Sequence, residues 1–178
     1  NQKCYGPVFI SGMEVGKAFN AAVEMILGNP ELSKFKFMFT VEDDNIPQPD
    51  CLLKLYESMR EFDVVGSLYW TKGEAGQPMI YGNPNESPLN FRPQRVQSGM
   101  VQRCNGVGMG ATLFKLDLFR KIKPPWFETI QDWNPNTGGG CSTQDLSFCH
   151  KVCQMGGRIA VDTRVKVGHL DVENNQLW

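Results

Sequence analysis

Residues 35–50, FKFMFTVEDDNIPQPD, constrain the fold more than any other stretch. Phe35, Phe37 and Phe39 alternate, and Met38 adds an apolar residue on the opposite face, which predicts an interior strand covered on both sides. Three consecutive acids, Glu42, Asp43 and Asp44, end the run, and Pro47 and Pro49 then lack the amide hydrogens that would continue a ladder. Asp50 stands where it can cap a helix through CLLKLYESM. Crowding like charges at a strand end is destabilising unless a cation or water lies among them. The stretch therefore predicts a strand, an acidic loop at its carboxyl end, and a helix.

The rest of the chain repeats that alternation. GPVFISG (6–12) predicts a strand, and GKAFNAAVEMILGNP (16–30) a helix, with Ala18, Ala21, Ala22, Met25 and Ile26 at helical spacing and Gly28 with Pro30 as the stop. DVVGSLYW (63–70) reads as the next strand. Between 71 and 105 Gly, Pro, Asn, Gln and Arg dominate, an excursion expected to face a substrate. NGVGMGATLFKLDLFRKI (105–122) predicts a glycine-rich turn, a strand and a short helix capped by Asp117.

A second long loop, 124–142, follows, aromatic at one end and glycine-rich at the other. STQDLSFCHKVCQMGG (142–157) then predicts a helix with Ser142 as N-cap and Asp145 as the capping-box acid. Leu146, Cys149, Val152 and Cys153 would share its apolar face. RIAVDTRVKVGHL (158–170) closes with one or two extended runs and His169 just beyond. Strands alternating with helices predict one α/β domain over 1–178, a mixed, mostly parallel sheet flanked by helices.

With 178 residues, 41% hydrophobic, the chain can bury a core of its own. A net charge of −1 provides no field to attract nucleic acid or an anionic membrane. No apolar run approaches the roughly 18–20 residues of a membrane span. Six cysteines without a C-x-x-C pattern fit packed free thiols better than a disulfide scaffold or a metal site, and point to a cytoplasmic protein. A strand-like run so near a start without Met leads us to expect that the chain begins inside a longer protein.

Four features fall where α/β sheets keep ligands, at strand carboxyl ends and helix starts. They are the triple acid, the GVGMG turn, Asp145 and His169. Each has a plain structural reading as a solvated loop, a turn, a cap or a surface histidine. Together they fit a divalent cation held by carboxylate and imidazole and bridging the phosphates of a leaving nucleoside diphosphate. An imidazole ligand shifts the expectation from Mg²⁺ toward Mn²⁺.

The order strand, EDDNIP, GVGMGATLF and TQDLSFCHKVCQMGGRIAVDTRVKVGHL resembles the GT-A fold glycosyltransferases, most closely family 2-like bacterial and phage enzymes. Glu42 and Asp44 match the outer positions of that family's D-x-D signature. The resemblance implies a metal role for Asp44 and a sugar-nucleotide role for Glu42 and Asp43. Gln144-Asp145 looks like the family's E-D pair, whose second acid is the general base of inverting members, and GHL matches the late metal ligand, His169.

This chain has A-F-N where relatives often have A-R-N, so Phe19 cannot contact a diphosphate and Lys17 is the substitute on offer. Trp126, Phe127 and Trp133, with Gly108, are the residues expected to hold the acceptor. The implied reaction moves a sugar from a nucleoside-diphosphate donor to a glycan or other hydroxyl acceptor. The family's first strand–helix unit, much of the nucleobase pocket, is missing from the sequence and expected upstream. Two other readings remain: a nucleotidyltransferase-like enzyme, or a sugar-nucleotide or glycan-binding module with degraded catalysis, which Phe19 and Gln144 favour.

Overall fold

Strand β3 (Val64–Leu68) buries all of its residues, and their alternation sets the layers of the molecule. Val64 and Leu68 face one side of the sheet with Phe114, Ile159 and Val161, while Val65 faces the other with Leu113 and Ala160. A strand buried on both faces needs cover on both, and the helices supply it. Helices α1 (Val15–Gly28), α3 (Asp117–Lys121) and α4 (Gln144–Gln154) cover the first face through Val23, Phe119 and Phe148, and α2 (Cys51–Ser58) covers the second through Cys51 and Leu55. The computed structural model of the chain describes residues 3–134 and 138–178, without the side chains of 132–134 and 138–140.

The remaining strands in chain order are β1 (Phe37–Val41), β2 (Asn45–Ile46), β4 (Ile80–Tyr81), β5 (Val101–Cys104), β6 (Gly106–Val107), β7 (Ala111–Lys115), β8 (Ile130–Asn134), β9 (Gly138–Ser142), β10 (Ile159–Lys166), β11 (Gly168–Asp171) and β12 (Gln176–Leu177). The main sheet runs β1-β7-β3-β10-β5. Only β3 and β10 pair in parallel; β1 with β7, β7 with β3, and β10 with β5 are antiparallel. The mixed α/β sheet is as expected, but its predominantly parallel character is not. A helical crossover carries the chain from β1 to β3 in the same direction, whereas β7 arrives from a long loop and slots between them from the opposite end.

Other expectations change with the partners available. GPVFISG is not a strand: no strand lies beside it among the described residues, and Phe9 is 89% exposed. β-propensity expresses packing against neighbours, and here there are none. β1 is a sheet edge, paired only to β7 among the described residues, and its Phe37 and Phe39 are half-buried. The N-cap of α4 is Thr143, not Ser142, which ends β9, and Asp117 lies in the first turn of α3 after the N-cap Leu116. The loop 124–142 contains the β8–β9 hairpin.

The aromatic end of that loop is core. Phe148 stacks on Phe127 at 4.6 Å and on Phe119 at 5.2 Å between ring centres. Asn20 of α1 ties the loop down, accepting from the N–H groups of Trp126 (2.9 Å) and Phe127 (3.1 Å) and donating to the Phe127 carbonyl (2.7 Å). At the other side of the sheet, the fully buried Asp162 carboxylate accepts from Arg164 Nη2 (2.6 Å) and Nε (2.8 Å) and from the Ser58 hydroxyl (3.0 Å). All six cysteines are free, and Cys149 is packed in the core as its spacing suggested. Among the described residues no helix is long and apolar enough to cross a membrane.

Candidate functional site

The registers of the sheet bring four chain segments to one edge. Val41 lies opposite Ala111, and Leu68 opposite Lys166, so the carboxyl ends of β1, β3 and β10 meet the amino end of β7. The residues that follow are Glu42–Asp44, Tyr69–Lys72 and Val167–His169, and Gly108–Gly110 precede β7. The acidic loop turns back at once: Asn45 N–H donates to the Glu42 carbonyl at 3.0 Å, and β2 pairs with β11 with Asn45 opposite His169. Leu170 N–H then donates to the Asp44 carbonyl at 2.7 Å. Asp44 and His169, 125 residues apart, are thereby fixed face to face.

Their contact carries a chemical conflict. His169 Nδ1 is 2.7 Å from the Trp70 carbonyl, and a carbonyl only accepts, so Nδ1 carries the hydrogen. Nε2 is 3.3 Å from Asp44 Oδ2. In the neutral ring that is a lone pair facing a carboxylate, an arrangement that a proton or a cation between them resolves. A backbone carbonyl holding the far nitrogen is also the support that metal-binding histidines ordinarily have. Lys72, which the sequence reading passed over, adds an ammonium 2.7 Å from the same Oδ2. Burial alone would raise the Asp44 carboxyl, but the Lys72 hydrogen bond and the charges of His169 and Lys72 outweigh it and hold it below its ordinary value.

Glu42 is half-buried, and its carboxyl is pushed up to about 7, first by burial, then by the charges of Asp44, Asp145 and Asp43, with Lys72 opposing. Asp145, at the start of α4, is 7% exposed. Burial raises its carboxyl, opposed by the Thr143 hydroxyl and by the Leu146 N–H at 2.9 Å. Its charge reaches Glu42, Tyr69 and Tyr81, each of which it pushes upward after burial has done so. Asp43 is exposed beside these groups.

Tyr69 is the post around which the edge is built. Its hydroxyl accepts from Gly110 N–H at 2.9 Å, and its ring stands edge-on to His169, 5.5 Å between centres. The glycine-rich turn is explained by this packing. A Cβ on Gly108 would collide with the Tyr69 hydroxyl and Met79, and one on Gly110 with Asn45 Oδ1. Gly108, expected to hold an acceptor, is therefore buried beneath a tyrosine. Asn45 is itself buried, and its Oδ1 has no hydrogen-bond partner among the described residues.

Other expected residues lie elsewhere. Trp126 is 5% exposed, with its indole N–H shared between the carbonyls of Phe119 and Ile122, both at 2.9 Å, and Phe127 is buried too. Neither offers a face for an acceptor sugar to stack on. The Trp133 side chain lies outside the described residues. Lys17 is exposed along a groove of ≈ 470 Å³ with Asn20, Ala21, Glu24, Pro124 and Pro125, and among the described residues no hydrogen bond or ion pair joins it to Glu42, Asp43 or Asp44. Among the described residues no group of three or more His, Cys, Asp or Glu side chains could hold a metal; Asp44 and His169 are a pair.

Nothing in the sequence marked Lys72 or Tyr69 except position. They follow the carboxyl end of β3, and its neighbour in the sheet could not be inferred without the strand order.

No family model matches the chain, and no curated protein matches it. Among solved structures, the crystal structure of A197 from STIV is similar, with a TM-score of 0.63 and 20% identity, covering 92% of this chain and 74% of that one. At that identity the likeness concerns the fold alone.

Proposed function

We propose that the chain transfers a sugar from a nucleoside-diphosphate donor to a hydroxyl acceptor, on a GT-A-like scaffold, with Asp145 as general base and a divalent cation, Mn²⁺ before Mg²⁺, at Asp44 and His169. The observation that carries the reading is the convergence of a carboxylate–imidazole pair and a buried carboxylate on one sheet edge. The metal fits that pair: with Nδ1 donating to the Trp70 carbonyl, the neutral ring turns its Nε2 lone pair toward Oδ2 at 3.3 Å, and small divalent cations are often held by one or two protein groups plus phosphate oxygens. When bound, the cation supplies positive charge against the departing diphosphate.

Asp145 supplies the proton acceptor. A carboxylate raised by burial is a stronger base than one in water, and a positioned base is worth about 10² to 10⁴ in rate. As the acceptor oxygen bonds to the anomeric carbon and the bond to the leaving phosphate oxygen breaks, the hydroxyl proton passes to Asp145. Attack from the side opposite the leaving group inverts the configuration. Glu42, near neutrality in its titration, can both accept from and donate to a donor hydroxyl.

Asp145→Asn is expected to lower transfer at least about 100-fold while leaving donor binding, read by thermal shift with and without Mn²⁺, within twofold of wild type. Turnover retained in that variant would remove Asp145 as the base. That Asp44 and His169 have no third protein ligand beside them among the described residues favours one other reading, a sugar-nucleotide-binding module. Tight donor binding without transfer or hydrolysis at any Mn²⁺ concentration would establish it.

A further inference from the structure

One oxygen of Asp44 has two basic neighbours. Lys72 Nζ is 2.7 Å from Oδ2, and His169 Nε2 is 3.3 Å from the same atom. A divalent cation seated between Asp44 and His169 would share that oxygen with an ammonium, and like charges so close repel strongly. We propose that Lys72 is the resident counter-cation of the Asp44–His169 pair, displaced when a divalent cation enters together with a diphosphate. The site then binds metal weakly alone and strongly with the anion. The inference rests on the metal-dependent reading above.

The geometry of the Lys72 loop suits a cation that leaves and returns. Its base is fixed: Thr71 N–H donates to the Gln77 carbonyl (2.9 Å), Gln77 N–H to the Thr71 hydroxyl (2.9 Å), and Met79 N–H to the Tyr69 carbonyl (3.0 Å). Its tip turns through Gly73 at φ +100° and closes with Gly76 N–H on the Gly73 carbonyl (2.9 Å). Lys72 stands between base and tip with its side chain 35% exposed, so its four-carbon stem can swing the ammonium away while the base stays in place.

An ammonium leaving Asp44 needs another anion, and a diphosphate arriving with the metal supplies one. Metal and diphosphate then raise each other's affinity by the same factor, since coupling between two ligands is reciprocal. This gives the site the basic residue that Lys17, against Pro124 and Pro125, does not bring to it.

The test is Mn²⁺ binding, read by equilibrium dialysis across a membrane that retains the protein and passes Mn²⁺ and its pyrophosphate complex, at neutral pH and low salt, with and without inorganic pyrophosphate. Lys72→Met should bind Mn²⁺ alone about tenfold more tightly than wild type, equivalent to about 1.4 kcal/mol. Lys72→Arg, which keeps the charge, should behave as wild type, and pyrophosphate should strengthen Mn²⁺ binding more in wild type than in Lys72→Met. Equal Mn²⁺ affinity in wild type and Lys72→Met, lost in Asp44→Ala, would overturn the role of Lys72 and leave the metal site standing. Absence of Mn²⁺ binding in every protein, or binding that survives Asp44→Ala, would overturn the metal reading and this inference with it.

Discussion

Replacing Glu42 by Gln is expected to stabilise the fold above neutral pH and leave it unchanged in acid. The folded chain raises this carboxyl from 4.5 to about 7, because burial and the charges of Asp44, Asp145 and Asp43 oppose its ionisation. A proton bound more tightly by the folded than by the unfolded chain favours folding. That contribution is whole below about pH 4.5 and is lost as the pH climbs through about 7. The rise is equivalent to about 3 kcal/mol, which partial solvent access at Glu42 trims toward about 2 kcal/mol.

Gln keeps the shape and carries no charge, so the variant escapes the loss. Urea unfolding with EDTA across a pH series measures it: the two proteins should match near about pH 4 and separate by about 2 kcal/mol near about pH 8, with Glu42→Gln the more stable and the urea dependence unchanged. Stability curves that run parallel across the series, or a wild type that gains on the variant above neutrality, would refute the electrostatic reasoning.

Trp126→Phe removes the indole donor to the Phe119 and Ile122 carbonyls and is expected to lower stability by about 2 kcal/mol while leaving the acceptor KM of the proposed transfer unchanged. An elevated acceptor KM at wild-type stability would return Trp126 to the acceptor site. Arg164→Ala strands the fully buried Asp162 carboxylate with the Ser58 hydroxyl and the residue-164 N–H as its partners. A loss of about 2 kcal/mol in urea unfolding is expected, discounted for the exposure of the arginine. Adding Asp162→Asn should recover part of it, and no recovery would deny the stranded charge as the cause.

Periodicity and punctuation were enough for the local elements. α1, α2, β3, β7 and α4 fall where their apolar spacing and flanking Gly, Pro and Asp residues put them. Strand direction was not legible, because it depends on which strand fills the gap between β1 and β3, and the β7 segment looks like any other buried strand. Trp126 and Phe127 read as a possible sugar platform because an aromatic loop has no sequence mark of burial; Asn20, 106 residues before Trp126, ties it to the core. Asp44 and His169 were proposed as partners, and the β2–β11 pairing brings them together. Lys72 stayed hidden in a Gly- and Pro-rich stretch whose turns decide where its ammonium lands.

The placement of β7 also dictates an order of events during synthesis. In the folded sheet β1 and β3 run in one direction but share no hydrogen bonds, and the strand that joins them is made tens of residues after both have left the ribosome. Both keep open edges until 111–115 emerge, and β3 waits further for β10 on its other side. Non-local pairings of this kind form slowly and leave strand edges free to join the wrong partner. His169 is made later still, after α4, so α1 and α2 can form long before the Asp44–His169 pair can assemble.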